Sequence, residues 1–222
     1  MTRPKAWMSW SSGKDSALAL HETLTAGEVD VVGLLTTVNS TADRVAMHAV
    51  RRVLLERQAA ALGLPLHVVD LPWPCPNEVY EQQMASALQL AVANGVTHMV
   101  FGDLYLEDIR AYREQALEGT GITPLFPLWG RPTDGLAREM VDAGIEAFLT
   151  CVDPRQAPPG LVGRAFDAEL LAALPSGVDS CGENGEFHTF VWSSPDFSAP
   201  IPVEVGEIVE REGFVFADLT PC

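Results

Sequence analysis

Ser11-Ser12-Gly13-Lys14-Asp15-Ser16 joins a short apolar run at residues 6–10 to a stretch in which Ala17, Leu20 and Leu24 recur at helical spacing. A strand that turns through small polar residues into a helix leaves free backbone N–H groups and the positive end of the helix dipole at the join. Both attract anions, phosphates above all. Gly13 permits close backbone approach, and Ser11, Ser12 and Ser16 add hydroxyl donors. Lys14 supplies a mobile positive charge, and Asp15 is suited to hold a magnesium ion or cap the first turn. A Walker loop would need glycine at position 8 and Ser or Thr after the lysine, where this chain has Met8 and Asp15. The plainer alternative is a strand-to-helix turn built from ordinary capping residues.

Working outward, strand-like runs at 6–10, 31–38, 66–71 and 98–101 alternate with helix-like stretches at 15–25, 48–62 and 78–93. That rhythm predicts a parallel sheet with helices on both faces, whose ligands bind beyond the carboxyl ends of the strands. Thr36, Thr37 and Asn39 end the second strand, and Gly102 and Asp103 end the fourth, so both groups head for the rim that carries the loop. Thr37 is then a candidate neighbour of a nucleoside's base or ribose. Beyond Gly102 the spacing predicts helices at 104–117, 133–143 and 166–174, a short apolar piece at 125–129 and a strand at 147–152. Residues 202–218 alternate as strands around a turn at Glu212-Gly213, a small closing hairpin. The expected division is a nucleotide-binding α/β domain over 1–125 and a smaller α+β, substrate-binding region over 126–222.

The 222 residues, 47% hydrophobic and 20% charged, suit a globular protein with a sizeable core. No apolar run reaches the roughly 18 residues of a membrane span, and no signal-peptide pattern opens the chain, so the expected location is cytoplasmic. The net charge of −16, with 14 scattered Lys and Arg residues, argues against a grip on nucleic acid. Lys14, Arg51, Arg52, Arg110 and Arg113 are candidates for local neutralisation of a polyphosphate. Cys75, Cys151, Cys181 and Cys222 show no CxxC spacing, which excludes a zinc ribbon or a redox pair but leaves a thiolate role open at Cys151 or Cys181. The oligomeric state is open, a homo-oligomer included.

A second constellation runs Gly182-Glu183-Asn184-Gly185-Glu186-Phe187-His188-Thr189-Phe190-Val191. Strand periodicity puts Glu186, His188 and Phe190 on one face and Phe187, Thr189 and Val191 on the other. A carboxylate and an imidazole pointing the same way suit proton transfer or a metal-bound water, and Glu183 on the preceding turn is placed to join them. A surface ion pair on a hairpin lip is the competing interpretation. Zinc lacks further ligands nearby, so magnesium arriving with a polyphosphate is the more economical ion.

The Ser-x-Gly-x-Asp-Ser pattern resembles the PP-loop of the adenine nucleotide alpha hydrolase superfamily. Over residues 9 to about 195 the order of blocks resembles the diphthine ammonia ligase family. The carriers are the loop itself, Cys75-Pro76-Asn77 with Tyr80-Glu81, Gly102-Asp103 with Arg110 and Glu114, Pro127-Leu128-Trp129, and the Gly182–Val191 block. Ser12 departs from the usual PP-loop glycine. The resemblance implies a HUP-type α/β domain and an ATP-dependent ligation: a carboxylate attacks the α-phosphate, pyrophosphate leaves, and ammonia displaces AMP to give an amide. It implies ATP contacts from Ser11, Ser12, Gly13, Lys14, Asp15, Ser16, Thr37, Gly102 and Asp103, with Asp15 and Asp103 positioning Mg2+. Catalytic roles fall to Lys14, Asp15, Glu183, Glu186 and His188. Acceptor contacts fall to Tyr80, Glu81, Arg110, Glu114, Trp129, Gly185 and Thr189. The acceptor is a protein-borne diphthine or a small metabolite's carboxylate. Alternatives are a tRNA-thiolating PP-loop enzyme and a non-catalytic nucleotide-binding module.

Overall fold

The computed structural model describes residues 2–45 and 48–222. Five parallel strands form the first sheet: β1 (Lys5–Ser9), β2 (Asp30–Asn39), β4 (Leu66–Leu71), β5 (Val96–Val100) and β6 (Thr123–Leu125). β1 lies between β2 and β5, β4 pairs with the far side of β2, and β6 with β5. The two-residue β3 (Arg44–Val45) runs antiparallel to the end of β2. The chain leaves β1 toward β2 on one side and returns to β5 on the other. The crevice at their carboxyl ends is therefore the switch point at which such sheets bind ligands.

Helices α1 (Lys14–Ala26), α2 (Arg52–Leu62), α3 (Asn77–Ala93) and α4 (Glu107–Leu117) connect these strands. The apolar faces of α1 and α2 join one core, which includes Met8, Trp10, Leu18 and Leu54. That core continues without a break into Leu149, Phe187 and Phe190 of a second sheet. A separate cluster of Trp7, Leu88, Met99, Phe101 and Leu117 fills the opposite face under α3 and α4. The second sheet is antiparallel, in the order β8 (Phe187–Ser193), β7 (Glu146–Val152), β10 (Phe214–Pro221), β9 (Val203–Arg211), with α5 (Thr133–Asp142) and α6 (Ala168–Ala173) alongside. Among the described residues no helix is long and apolar enough to cross a membrane.

The α/β expectation holds, with local corrections. α2 begins at Arg52 rather than at residue 48, because the chain first forms β3 and a turn through His48. α4 starts at Glu107 rather than at 104, since Leu104 is buried in the core against the loop that precedes the helix. The apolar piece near 125 opens with β6, a sixth strand of the first sheet. The closing hairpin is not separate: β10 pairs with β7 at Val215 and Phe216 and completes the second sheet.

Candidate active site

The loop after β1 bends through Ser12 at φ 70°, a left-handed conformation, which explains why glycine suits this position. Ser12 is fully buried, and among the described residues its hydroxyl has no partner. Gly13 is the residue before the first helical turn, and its carbonyl accepts from the Ala17 amide at 3.1 Å and the Ser16 hydroxyl at 2.9 Å. The Lys14 amide donates to Thr189 Oγ1 at 3.1 Å, which leaves the Asp15 and Ser16 amides as the free donors of that turn. A Cβ on Gly13 would stand 2.8 Å from His48 Cε1. A Cβ on Gly102 would stand 2.9 Å from the Asp15 carbonyl carbon and 3.0 Å from the Ser16 nitrogen. Both glycines are thus required by close approach, and the β5–α4 segment lies directly against the loop.

Lys14 is not a mobile charge. Its side chain is buried, with Nζ donating to Asp15 Oδ1 and Oδ2 at 2.9 and 3.0 Å and to the Cys181 carbonyl. The Phe166 and Phe187 rings face the ammonium at 5.5 and 5.4 Å. Burial works against the ammonium, but the Asp15 carboxylate first, then Cys181 and Glu183, outweigh it and hold the pKa above its usual value. Glu183 stands close by, its Oε1 accepting from the Leu104 amide at 2.9 Å. Burial, reinforced by the Asp15 charge, pushes its carboxyl up to about 7.

The expected Glu186–His188 partnership does not form. Glu186 lies just before β8 and is buried, and its oxygens accept from the Asp179 amide at 3.1 Å and from the Asn184 amide and side chain at 2.9 and 3.0 Å. It pins the loop that carries Glu183. His188 instead packs against His48, ring centroids 4.7 Å apart, and burial pushes its pKa down to about 3, so it stays neutral near pH 7. His48 is lowered too, chiefly by burial; its Nδ1 lies 3.0 Å from the Thr189 carbonyl, the geometry of an N–H donor. Two residues that fasten the loop escaped the sequence reading, His48 and Gln58. Fully buried, Gln58 donates to the Ser12 carbonyl at 3.0 Å and the Val191 carbonyl at 2.7 Å, and accepts from Trp10 Nε1 at 2.9 Å. A signal existed: Gln58 falls on the Leu54-Leu55-Ala59 apolar stripe of α2, where a glutamine needs buried partners.

The remaining candidates divide between two neighbourhoods. Gly185 and Thr189 belong to the loop's own cover. Thr37 lies on β2 beside Val69, partly buried, one residue past Thr36, whose hydroxyl donates to the Trp10 carbonyl at 2.7 Å. Gly102 leads into Asp103, whose carboxyl is raised by burial against the opposing pull of Arg113, 3.6 Å away. On α4 the Arg110 guanidinium lies 4.9 and 4.7 Å from the Phe126 and Trp129 rings and bonds Glu114 at 2.8 Å. Tyr80 meets Tyr112 between α3 and α4, where Glu81 edges a groove of about 720 Å³. Arg51 is paired with Asp218, and Arg52 with Asp43 and Asp70. Burial pushes the Cys151 and Cys181 thiols up to about 12, so neither is a ready thiolate.

Among the described residues no group of three or more His, Cys, Asp or Glu side chains is placed to hold a metal ion. Magnesium needs no such cage, since it commonly takes one or two carboxylates and completes its shell with phosphate oxygens and water. Asp15 and Asp103, close enough for their charges to interact across the crevice, fit that requirement.

Two family models match the chain, the diphthamide synthase N-terminal domain over residues 4–124 and the diphthamide synthase C-terminal domain over residues 132–218. The human diphthine–ammonia ligase is 26% identical over 229 residues, covering 93% of this chain and 85% of its own length. The rat protein of that name is 32% identical over 118 residues, 50% of this chain and 44% of that protein. A solved structure of the U34-tRNA thiolase NcsA from Methanococcus maripaludis aligns at 15% identity over 64% of this chain and 58% of that one. The TM-score of that alignment is 0.37. Matched through the first sheet and again through the second, the chain belongs to the diphthamide synthase family.

Proposed function

We propose that this protein is an ATP-dependent ligase of the diphthine–ammonia ligase type, converting a carboxylate and ammonia to an amide with release of AMP and pyrophosphate. The observation that carries the proposal is Glu183. A carboxyl raised to about 7 stands over a phosphate-type loop beside Asp15 and Lys14, in a chain whose relatives are named for this reaction. Merely holding ATP would not require such a group. Burial raises the thiols at Cys151 and Cys181, the two cysteines that the thiolation alternative had offered as nucleophiles, which favours the ligase reading.

In this proposal the amides of Asp15 and Ser16 and the N-terminus of α1 receive the phosphates. Lys14, locked in place, contributes its charge without reorganising as negative charge builds on the departing pyrophosphate. Asp15 and Asp103 would hold magnesium, which supplies Lewis-acid neutralisation of the phosphate oxygens. The acceptor carboxylate attacks the α-phosphate, and the bond to pyrophosphate breaks. Ammonia then attacks the acyl carbon, AMP leaves, and the proton shed by nitrogen passes to the Glu183 carboxylate, whose pKa suits a base near neutrality. His188 shapes the cover rather than carrying the proton, and Glu186 braces the loop. Arg110, Glu114, Trp129, Tyr80 and Glu81 form the outer wall for the acceptor, protein-borne diphthine or a smaller carboxylate.

The test follows nucleotide products with ATP, magnesium, ammonium and a diphthine-bearing acceptor. Acceptor-dependent AMP and pyrophosphate, lost in Glu183→Gln with ATP binding retained, are expected. ADP and orthophosphate as products would overturn the proposal.

A further inference from the structure

The segment from Asp179 to Glu186 has no regular secondary structure, yet it presents two groups to other elements with fixed geometry: the Cys181 carbonyl to Lys14, and the Glu183 carboxylate to the Leu104 amide. Glu186 fastens the ends of this segment through the amides of Asp179 and Asn184. The middle depends on another side chain. Asp179 Oδ1 accepts from the Cys181 amide at 2.9 Å and the Glu183 amide at 3.3 Å, while Oδ2 accepts from the Thr133 hydroxyl at 2.7 Å. Thr133 is the first residue of α5, a helix anchored by buried Leu136, Ala137 and Met140, and its carbonyl faces the Cys181 thiol at 3.4 Å. Next to it, Asp134 accepts from the Ser180 hydroxyl at 2.6 Å.

We propose that Asp179 is the positioning residue of this centre: from its tether on α5 it sets the Cys181 carbonyl on Lys14 and the Glu183 carboxylate on the Leu104 amide. The word centre rests on the ligase proposal above; the positioning itself does not. A carboxylate suits the task because it only accepts, so one oxygen serves two amides while the other is held by the hydroxyl, in charge-assisted bonds stronger than neutral ones. Without it two amides in a turn lose their acceptor, and the residues bearing the reacting groups are free to drift. A displacement of about 1 Å is enough to cost roughly 100-fold in rate.

The full-length protein with Asp179→Ala should lose kcat for AMP formation by roughly that 100-fold while its Kd for ATP stays within about twofold, because the donors of the phosphate loop lie on α1. Asp179→Asn keeps an oxygen for both amides and should restore most of the turnover. The second readout needs no activity: in 1H–15N spectra the Leu104 amide should lose its downfield shift and exchange protection in Asp179→Ala and keep both in Asp179→Asn. If Asp179→Ala does not fold, Thr133→Val removes only the tether and should move the Leu104 signal and kcat in the same directions, less far. An unmoved Leu104 signal, wild-type kcat, or an ATP affinity that falls in step with kcat overturns the inference. A wild-type protein that forms no AMP and pyrophosphate sinks the ligase proposal instead, and the Leu104 signal still decides the role of Asp179.

Discussion

At the scale of single residues, Ser12 combines two unfavourable features, a left-handed backbone and a buried hydroxyl with no partner among the described residues. A non-glycine residue in that conformation costs roughly 1–2 kcal/mol, and an unpaired buried hydroxyl about as much again. Ser12→Gly should therefore stabilise the fold by at least about 1 kcal/mol in urea melts; a loss of stability would mean that the hydroxyl has a partner in solution. Glu183 makes a prediction in pH. Only its ionised form can take a proton from ammonia, so kcat/KM should rise with pH to a midpoint near 7, a limb that Glu183→Gln removes. The sign for stability is opposite. A carboxyl raised by burial favours folding fully below its unfolded-state value of about 4.3, and that contribution is lost as pH climbs through about 7. Glu183→Gln should therefore melt higher than the parent protein at pH 8 and less so at pH 5, as scanning calorimetry at the two pH values can check.

At the scale of elements, the loop between β1 and α1 is held by a strand from the other sheet. β8 receives the Lys14 amide on Thr189, gives its Val191 amide to the Ser12 carbonyl at 3.0 Å, and is clasped from behind by Gln58 of α2. Gln58→Ala would strand the Trp10 indole N–H and two carbonyls in a dry interior. It should cost about 3 kcal/mol in denaturant unfolding, and ATP affinity should fall with it. The alternation of short apolar runs with helix-period stretches made the sheet and its helices legible in the sequence, and the change from strand to helix at Ser11–Ser16 located the loop after β1. β3 was not, since two residues carry no period. Nor was the fixation of Lys14: a lysine in a loop looks like a mobile cation until the Cys181 carbonyl, 167 positions further on, is seen to cap it. Alternation correctly put Thr189 on a different face from His188, but it could not foresee that Glu186, before the strand begins, turns back into its own loop.

At the scale of the whole molecule, a net charge of −16 surrounds the site that the ligase proposal assigns to ATP. Of the five basic residues that the sequence offered as neutralisers, Lys14 shares its charge with Asp15, while Arg51 pairs with Asp218 and Arg52 with Asp43 and Asp70. Nucleotide must therefore approach against the general field, and screening should help it. The association rate of a fluorescent ATP analogue is expected to increase roughly threefold when ionic strength goes from about 0.01 to 0.15 M. A decrease in stopped-flow measurements would reveal a locally positive entrance. The splice between the two sheets has a further meaning. Because Thr189 and Val191 complete the cradle that Ser12 and Lys14 begin, the motif written near the start of the chain is only half of a joint structure, and its other half was added late in the sequence. Ownership of the loop is shared, so a change on one side of the seam must be tolerated by the other.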